Sequence, residues 1–195
     1  MFKARNLMYF LGFVALVSGL VAGVTYAAFT DKGKVLGSTF SAGSADIKFL
    51  ADVTLGTDSS NLTDELTGPS FSNISPTWTQ DYLLKLVNNG TSNLGVVTNA
   101  YYETANDPDD LRSDIQVEIL PWDDANSNGV VDTGEMGTPI GTKTIIKWKT
   151  EGFDLGAFNA GQKKSLILRF TAPTLGDDQQ GSTAVFDFEF EAIQL

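Results

Sequence analysis

The sequence predicts an all-β protein whose main part is an antiparallel β-sandwich. Three observations predict this fold. Apolar and polar residues alternate with a period of two in several segments, turn-forming residues separate these segments, and no useful stretch after residue 28 has the helical period of 3.6. Short strands with one apolar and one polar face bury their apolar faces by stacking as two sheets.

Residues 1–27 have the layout of a secretory signal peptide. Lys3 and Arg5 give a short basic start, residues 7–24 are uncharged and largely apolar, and residues 25–27 close the segment. An uncleaved membrane anchor is the alternative, because the apolar run is long enough to cross a bilayer. Either arrangement places the rest of the chain outside the cytoplasm, so we expect a protein of the cell surface or extracellular matrix.

The expected cleavage site lies between Ala27 and Ala28. Cleavage there puts Thr25 and Ala27 at the two positions that signal peptidase reads, whereas cleavage one residue later would put the bulky Tyr26 there. The mature chain then begins at Ala28.

The composition limits the possible functions of the chain. Its 195 residues suit one domain, and its formal net charge is −11. Loss of the two basic residues of the leader leaves 11 basic residues against 24 acidic ones, a net charge of −13, which argues against nucleic acid as a partner. The chain has neither histidine nor cysteine, which excludes the common catalytic triads and zinc sites. We therefore expect no enzyme of a familiar class.

The alternation is clear in five segments. They are residues 45–53, 82–87, 114–119, 165–170 and 186–192. In the last of these, the side chains of Phe186, Phe188, Phe190 and Ala192 are expected on one face and those of Asp187, Glu189 and Glu191 on the other. The turn residues at 88–92, between two strand-like runs, predict a hairpin connection.

Motifs near both ends of the mature chain form a recognisable series. The chain has Ala-Phe-Thr-Asp at 28–31, Thr-Phe-Ser-Ala-Gly-Ser-Ala-Asp-Ile at 39–47, a strand-like run ending in Asn-Asn-Gly at 83–90, and Phe-Asp-Phe-Glu-Phe-Glu-Ala-Ile-Gln at 186–194. In this order and spacing the motifs resemble the TasA and camelysin family of secreted fibre-forming proteins, which is similar to archaeal bundling pilus subunits.

The resemblance implies a jelly-roll-like domain that serves as the subunit of an extracellular fibre or pilus of the biofilm-matrix type. In such fibres the N-terminal segment of one subunit adds a strand to the sheet edge of the next. Residues 28–44 are the expected donor segment and residues 45–195 the sandwich domain. An ordinary first strand within its own sandwich is the alternative. The apolar residues expected at the subunit contact are Phe29, Val35, Leu36 and Phe40.

Residues 124–135 fit the twelve-residue EF-hand calcium loop at each informative position. The predicted ligands are the side chains of Asp124, Asn126, Asn128, Asp132 and Glu135 and the carbonyl of Val130. The flanks predict strands, so we expect a β-connection that binds Ca²⁺ in a structural role. An acidic, Asn- and Gly-rich turn without a metal is the alternative.

Other features have simpler interpretations. Trp78, Trp122 and Trp148 are expected in the core, with a sugar-binding face as the alternative. Camelysin-type members have been classed as metalloproteases, but this chain has no His-Glu-x-x-His. The glycosylation sequons are centred on Asn61, Asn73 and Asn89.

The sequence therefore predicts a secreted fibre subunit whose main partners are copies of itself. A monomeric, calcium-stabilised surface adhesin or matrix accessory protein is the second hypothesis, with other matrix proteins or surface glycans as partners. A hydrolase with an acidic site ranks last. Contact with the membrane is expected only through the signal segment before cleavage.

Overall fold

The alternating segments form antiparallel strands. The computed structural model describes residues 43–179 and 181–195, so the predicted signal peptide, its predicted cleavage site and nearly all of the predicted donor segment lie outside the described residues. In chain order the strands are β1 (Ile47–Leu50), β2 (Leu62–Thr63), β3 (Thr79–Asn88), β4 (Leu94–Tyr101), β5 (Gln116–Trp122), β6 (Gly141–Thr144), β7 (Phe153–Phe158), β8 (Lys163–Thr171) and β9 (Asp187–Gln194).

Two sheets of unequal size face each other. The larger has the strand order β2-β1-β3-β8-β5-β6 and the smaller the order β7-β4-β9. All pairings between these strands are antiparallel. The prediction of an all-β antiparallel sandwich is confirmed.

In residues 43–179 and 181–195, two short α-helices interrupt the β-structure, and the sequence did not predict them. They are α1 (Leu111–Asp114) and α2 (Ile145–Glu151). The Thr144 hydroxyl accepts a hydrogen bond from the Lys147 N–H and caps the start of α2, and Gly152, with a φ of 63°, follows its end. At seven residues α2 is too short for a helical period to stand out, but its N-cap and C-terminal glycine were readable signals.

The turn at residues 88–92 does not close a hairpin. β3 belongs to the larger sheet and β4 to the smaller one, so the turn carries the chain across the sandwich. The buried side chain of Asn88 holds the turn by donating to the carbonyls of Ser92 and Phe158. Turn residues predict a change of direction, but not which strand the chain pairs with next. The predicted strand at 45–53 is also shorter than expected, because β1 ends at Leu50.

The core lies between the sheets and is centred on Trp148 of α2. The Trp148 side chain is fully buried, and its indole N–H donates to the Thr98 carbonyl at 2.9 Å. Its ring stacks on Phe188 of β9 at a centroid distance of 4.6 Å and meets Phe153 edge to face at 5.6 Å. One aromatic side chain therefore connects α2, β4, β7 and β9.

The outer face of the larger sheet is also partly covered. Leu120, Trp122 and Ile167 form a second buried cluster there, and Val131 of the following loop packs against it. Lys85, on the same face of β3, donates through its ammonium to the Val53 carbonyl at 2.8 Å. The loops that follow β1 and β5 therefore cover this face, which the alternation predicted to be polar.

Among residues 43–179 and 181–195, no helix is both long enough and apolar enough to cross a membrane.

We expect Trp148→Ala to lower the free energy of unfolding by about 3–5 kcal/mol, because it leaves a large cavity at the centre of the core. Trp148→Phe should cost less, about 1–3 kcal/mol, chiefly by leaving the Thr98 carbonyl without its donor. Urea denaturation followed by circular dichroism measures both. Trp78→Phe, at a half-buried position, is the control. A loss for Trp148→Ala no larger than that of the control would contradict the central role of Trp148.

Candidate functional site

The first candidate site is the free edge of the smaller sheet at β9. β4 lies between β7 and β9, so β9 pairs on one side only among the strands of the described residues. Its side chains alternate as predicted. Phe186, Phe188, Phe190 and Ala192 are half-buried, and Asp187, Glu189 and Glu191 are exposed.

The direction of the β9 backbone groups follows from its hydrogen bonds. The Leu195 N–H donates to the Asn93 carbonyl, and the Glu189 carbonyl accepts from the Thr98 hydroxyl, so these odd-numbered residues point their backbone groups toward β4. In an antiparallel strand, alternate residues point their N–H and C=O groups to opposite sides. The backbone groups of Phe188, Phe190 and Ala192 therefore point away from β4, where a further strand could pair.

A groove runs beside this edge, between β9 and the larger sheet. Its cavity volume is about 640 Å³. We call it the edge groove. Its apolar lining consists of Ile47, Phe49, Leu66, Pro69, Tyr82, Leu84, Leu168, Phe186, Phe188 and Phe190. Phe49 and Phe190 meet across it edge to face at 5.4 Å. The groove is where the apolar inner face of the larger sheet extends beyond the smaller sheet.

Residues from Asp64 to Pro69 form one wall of the edge groove, within a segment without regular secondary structure that continues to Trp78. Tyr82 holds it by donating its hydroxyl to the Thr67 carbonyl at 2.9 Å, and burial raises the pKa of the Tyr82 phenol. A smaller cavity of about 250 Å³ shares Pro69, Phe186 and Phe188 with the groove. The apolar opening therefore continues past the start of β9.

Acidic side chains border the edge groove. Asp64, Glu65, Asp187, Glu189 and Glu191 all contribute to its lining. Asp64 pairs with Lys48, at 2.5 Å between the ammonium nitrogen and Oδ1. The other four make no salt bridge with any Lys or Arg of the described residues. The groove thus combines an apolar floor with a negatively charged rim.

The second candidate site is the predicted calcium loop. As expected, no helix flanks it. β5 ends at Trp122, and Met136 returns to form a bridge with Trp122. Gly129, at the predicted sharp turn, has a φ of 71°, and an added Cβ would lie 2.6 Å from the Thr54 side chain. Glycine is required there both by backbone conformation and by space.

Hydrogen bonds within the loop draw its polar side chains together. Asp132 accepts from the side-chain amides of Asn126 and Asn128, at 2.8 and 2.9 Å. The Glu135 carboxylate accepts from the N–H groups of Ala125 and Asp132. In the described part of the chain, however, no three acidic side chains come close enough to form a metal-binding group. The calcium site therefore stays a prediction.

Asp124, the first predicted ligand, already has a buried cation beside it. Its Oδ2 lies 2.5 Å from the Lys85 ammonium, and the exposed fractions of the two side chains are 1% and 6%. Burial by itself would raise the pKa of the Asp124 carboxyl. The hydrogen bond from Lys85, with those from the N–H groups of Gly129 and Asn128, outweighs this effect and holds the pKa below its ordinary value. The loop is therefore attached to β3 by an ion pair.

The predicted sequons differ in exposure. Asn61 is buried, and its side-chain nitrogen donates to the carbonyls of Asp52 and Gly56, so this folded arrangement leaves no room for a glycan. Asn73 and Asn89 are exposed and stay predictions.

The core placement expected for the tryptophans is found for Trp122 and Trp148, while Trp78 is half-buried.

Sequence reasoning missed the edge groove and the role of Lys85. The alternation identified the apolar faces, but the groove depends on how many strands each sheet contains, which no local pattern reveals. Lys85 carried a signal, because it stands alone among Leu83, Leu84, Leu86 and Val87. A lone cation within an apolar run is usually paired when buried.

Neither protein-family models nor curated proteins match this chain. The resemblance to the TasA and camelysin family thus rests on the motifs in the sequence.

We expect Lys85→Met to lower the free energy of unfolding by about 3 kcal/mol, because it leaves the Asp124 carboxylate buried without its cation. Lys85→Met combined with Asp124→Asn should lose less than Lys85→Met alone, since the second change removes the unpaired charge. Urea denaturation measures both. Lys48→Met, which removes two ion pairs at the surface, with Asp46 and Asp64, should have little effect. Equal losses for the Lys85 and Lys48 variants would contradict a structural role for the buried pair.

Proposed function

We propose that the protein is a secreted structural subunit of an extracellular fibre, and that subunits polymerise by adding the N-terminal segment of one copy to the β9 edge of the next. The observation that carries this proposal is the edge groove, an apolar opening beside a strand with unpaired backbone groups. An extended peptide there would pair its backbone with β9 and place every second side chain on the apolar floor.

The dimensions suit this arrangement. The six β9-side residues that line the groove, from Phe186 to Glu191, span about 20 Å as a strand. The predicted donor segment has 17 residues, which is enough to fill this length and still reach from one subunit to another. We call residues 28–44 the arm.

In the competing arrangement, the arm of a chain adds to the β9 edge of the same chain, which would suit the monomeric adhesin. Gly43 lies beside the Ser92 and Gln194 side chains, near the end of β9. An arm entering the groove directly from its own chain would run toward that end and therefore parallel to β9. Every strand pair described above is antiparallel, and parallel pairing is slightly less stable. An arm from a second copy is free to enter in the antiparallel direction, which favours the fibre.

The loop at 124–135 has a structural role in this proposal. We propose that it binds Ca²⁺ through the side chains of Asp124, Asn126, Asn128, Asp132 and Glu135 and the Val130 carbonyl. Their oxygen chemistry suits Ca²⁺, and hydrogen bonds bring the side chains of Asn126, Asn128 and Asp132 together without a metal. Bound calcium would stiffen the cover over the outer face of the larger sheet.

The secreted, processed chain is expected to form long uniform filaments, visible by negative-stain electron microscopy. Deletion of residues 28–42 should abolish filaments and leave a folded β-domain, because the arm is lost and the core is kept. Ala192→Pro should raise the critical concentration for assembly about tenfold, because it removes an N–H that points away from β4 and adds a ring at the free edge.

Two controls accompany this experiment. Ala192→Ser keeps the N–H and should assemble like the wild type. Glu191→Pro removes an N–H that points toward β4, and should destabilise the fold itself. Filaments that persist after the deletion would refute strand addition, and a wild-type chain that stays monomeric at all concentrations would favour the adhesin.

Calcium is expected to bind the processed chain with heat detectable by titration calorimetry and with weak affinity, on the order of 10⁻⁴–10⁻³ M, as in other extracellular modules. Glu135→Gln should remove most of this heat, because it takes away the predicted bidentate ligand. Asp123→Asn, just outside the loop, is the matched control. Absence of heat in the wild type would exclude the site.

A further inference from the structure

Four carboxylates at the rim of the edge groove form no ion pair within the part of the chain that the structure describes. Glu65, Asp187, Glu189 and Glu191 are exposed, line the groove and make no salt bridge to a Lys or Arg of residues 43–179 and 181–195. Asp187, Glu189 and Glu191 alternate along β9, and Glu65 belongs to the irregular segment that forms a wall of the groove. Such an arrangement raises the local concentration of cations and disfavours anionic partners.

The arm has the opposite charge. Residues 28–44 contain Lys32 and Lys34 and a single acidic residue, Asp31. Cleavage at the expected site would add the positive amino terminus of Ala28. A positively charged segment is unusual in a mature chain whose net charge is −13. The arm and the rim are therefore complementary in charge as well as in apolar character.

The spacing of the arm residues places these lysines on the correct side. In a strand, side chains alternate between the two faces, so Lys32 and Lys34 share one face and Val35 lies on the other. When Phe29 and Val35 point into the groove, both lysines point outward, on the same face as Leu36 and Phe40. The exposed carboxylates of β9 lie on that outer side, and opposite side chains in neighbouring strands have Cβ atoms about 4.5–5.5 Å apart.

We propose that the acidic rim recognises Lys32 and Lys34 of a second copy's arm, so that charge selects the arm and sets its register in the edge groove. This inference rests on the proposed strand addition and extends it. The apolar floor supplies most of the binding surface, and the cross-strand ion pairs distinguish the arm from other extended apolar segments.

Salt dependence alone does not test the proposal. High salt weakens the attraction between arm and rim, but it also screens the repulsion between two subunits that each carry a large negative charge. The two effects oppose each other. Reversing the charges at chosen positions separates the two effects, because it turns the attraction between arm and rim into repulsion.

The test uses two processed chains with opposite defects. The rim-reversed chain carries Glu189→Lys and Glu191→Lys, and the arm-reversed chain carries Lys32→Glu and Lys34→Glu. Each alone places like charges opposite each other, so the critical concentration, measured by sedimentation and electron microscopy, should rise about tenfold or more. In an equal mixture, each arm finds a groove of opposite charge in the other chain, and alternating filaments should form near the wild-type concentration.

A matched control reverses two carboxylates that do not line the groove. Asp58→Lys with Asp123→Lys changes the net charge by the same amount as the rim-reversed chain, and it should not reproduce the rim-reversed defect. Circular dichroism checks that every chain is folded. Reversed chains that assemble singly like the wild type, or a mixture of folded chains that fails to assemble, would overturn charge recognition. A wild-type chain that never assembles would refute strand addition itself.

A peptide experiment gives the same answer without altering the fold. A synthetic peptide of residues 28–44 added to the wild-type chain should occupy grooves and shorten the filaments. The same peptide with Lys32→Glu and Lys34→Glu should need an about tenfold higher concentration to shorten the filaments equally. Equal potency of the two peptides would overturn the proposal, because it would leave the apolar contacts as the only source of recognition.

Discussion

A sheet of six strands that faces a sheet of three cannot bury all of its inner surface. On the β7 side, α2 fills part of the difference, with Trp148 reaching between the sheets to stack on Phe188. On the β9 side nothing in residues 43–179 and 181–195 plays this role except the irregular segment that begins at Asp64. This unequal coverage leaves the phenylalanines of β9 half-buried. The proposed function depends on the apolar surface that they leave open.

The outer face of the larger sheet also carries apolar side chains that need to be covered, and here a polar loop covers them. A loop rich in Asp and Asn covers three apolar residues on this face, which would otherwise be exposed to solvent: Leu120, Trp122 and Ile167. Such a loop has few apolar side chains to offer. The Lys85–Asp124 ion pair and the glycine at 129 let it approach the sheet closely. Covering a surface with polar material requires that each buried charge have a partner.

The sequence predicted the sandwich, five strand segments and the faces of β9, because alternation depends only on neighbouring residues. It did not predict α2, which is two turns long, or the separation of β3 from β4, because strand pairing depends on distant contacts. The spacing of residues 124–135 alone predicted a calcium loop, yet it did not predict the ion pair with Lys85, since Lys85 lies 39 residues before Asp124 in the chain. The edge groove could not be predicted, because it is a property of both sheets together.

The alternating backbone of β9 also limits how two molecules can meet. If two β9 edges approached each other, the exposed carboxylates of one would face the same residues of the other, and like charges opposite each other are destabilising. A symmetric pair joined edge to edge is therefore disfavoured. The proposed fibre instead joins unlike surfaces, which would give it a direction, with one end that can accept a subunit and another that can only donate.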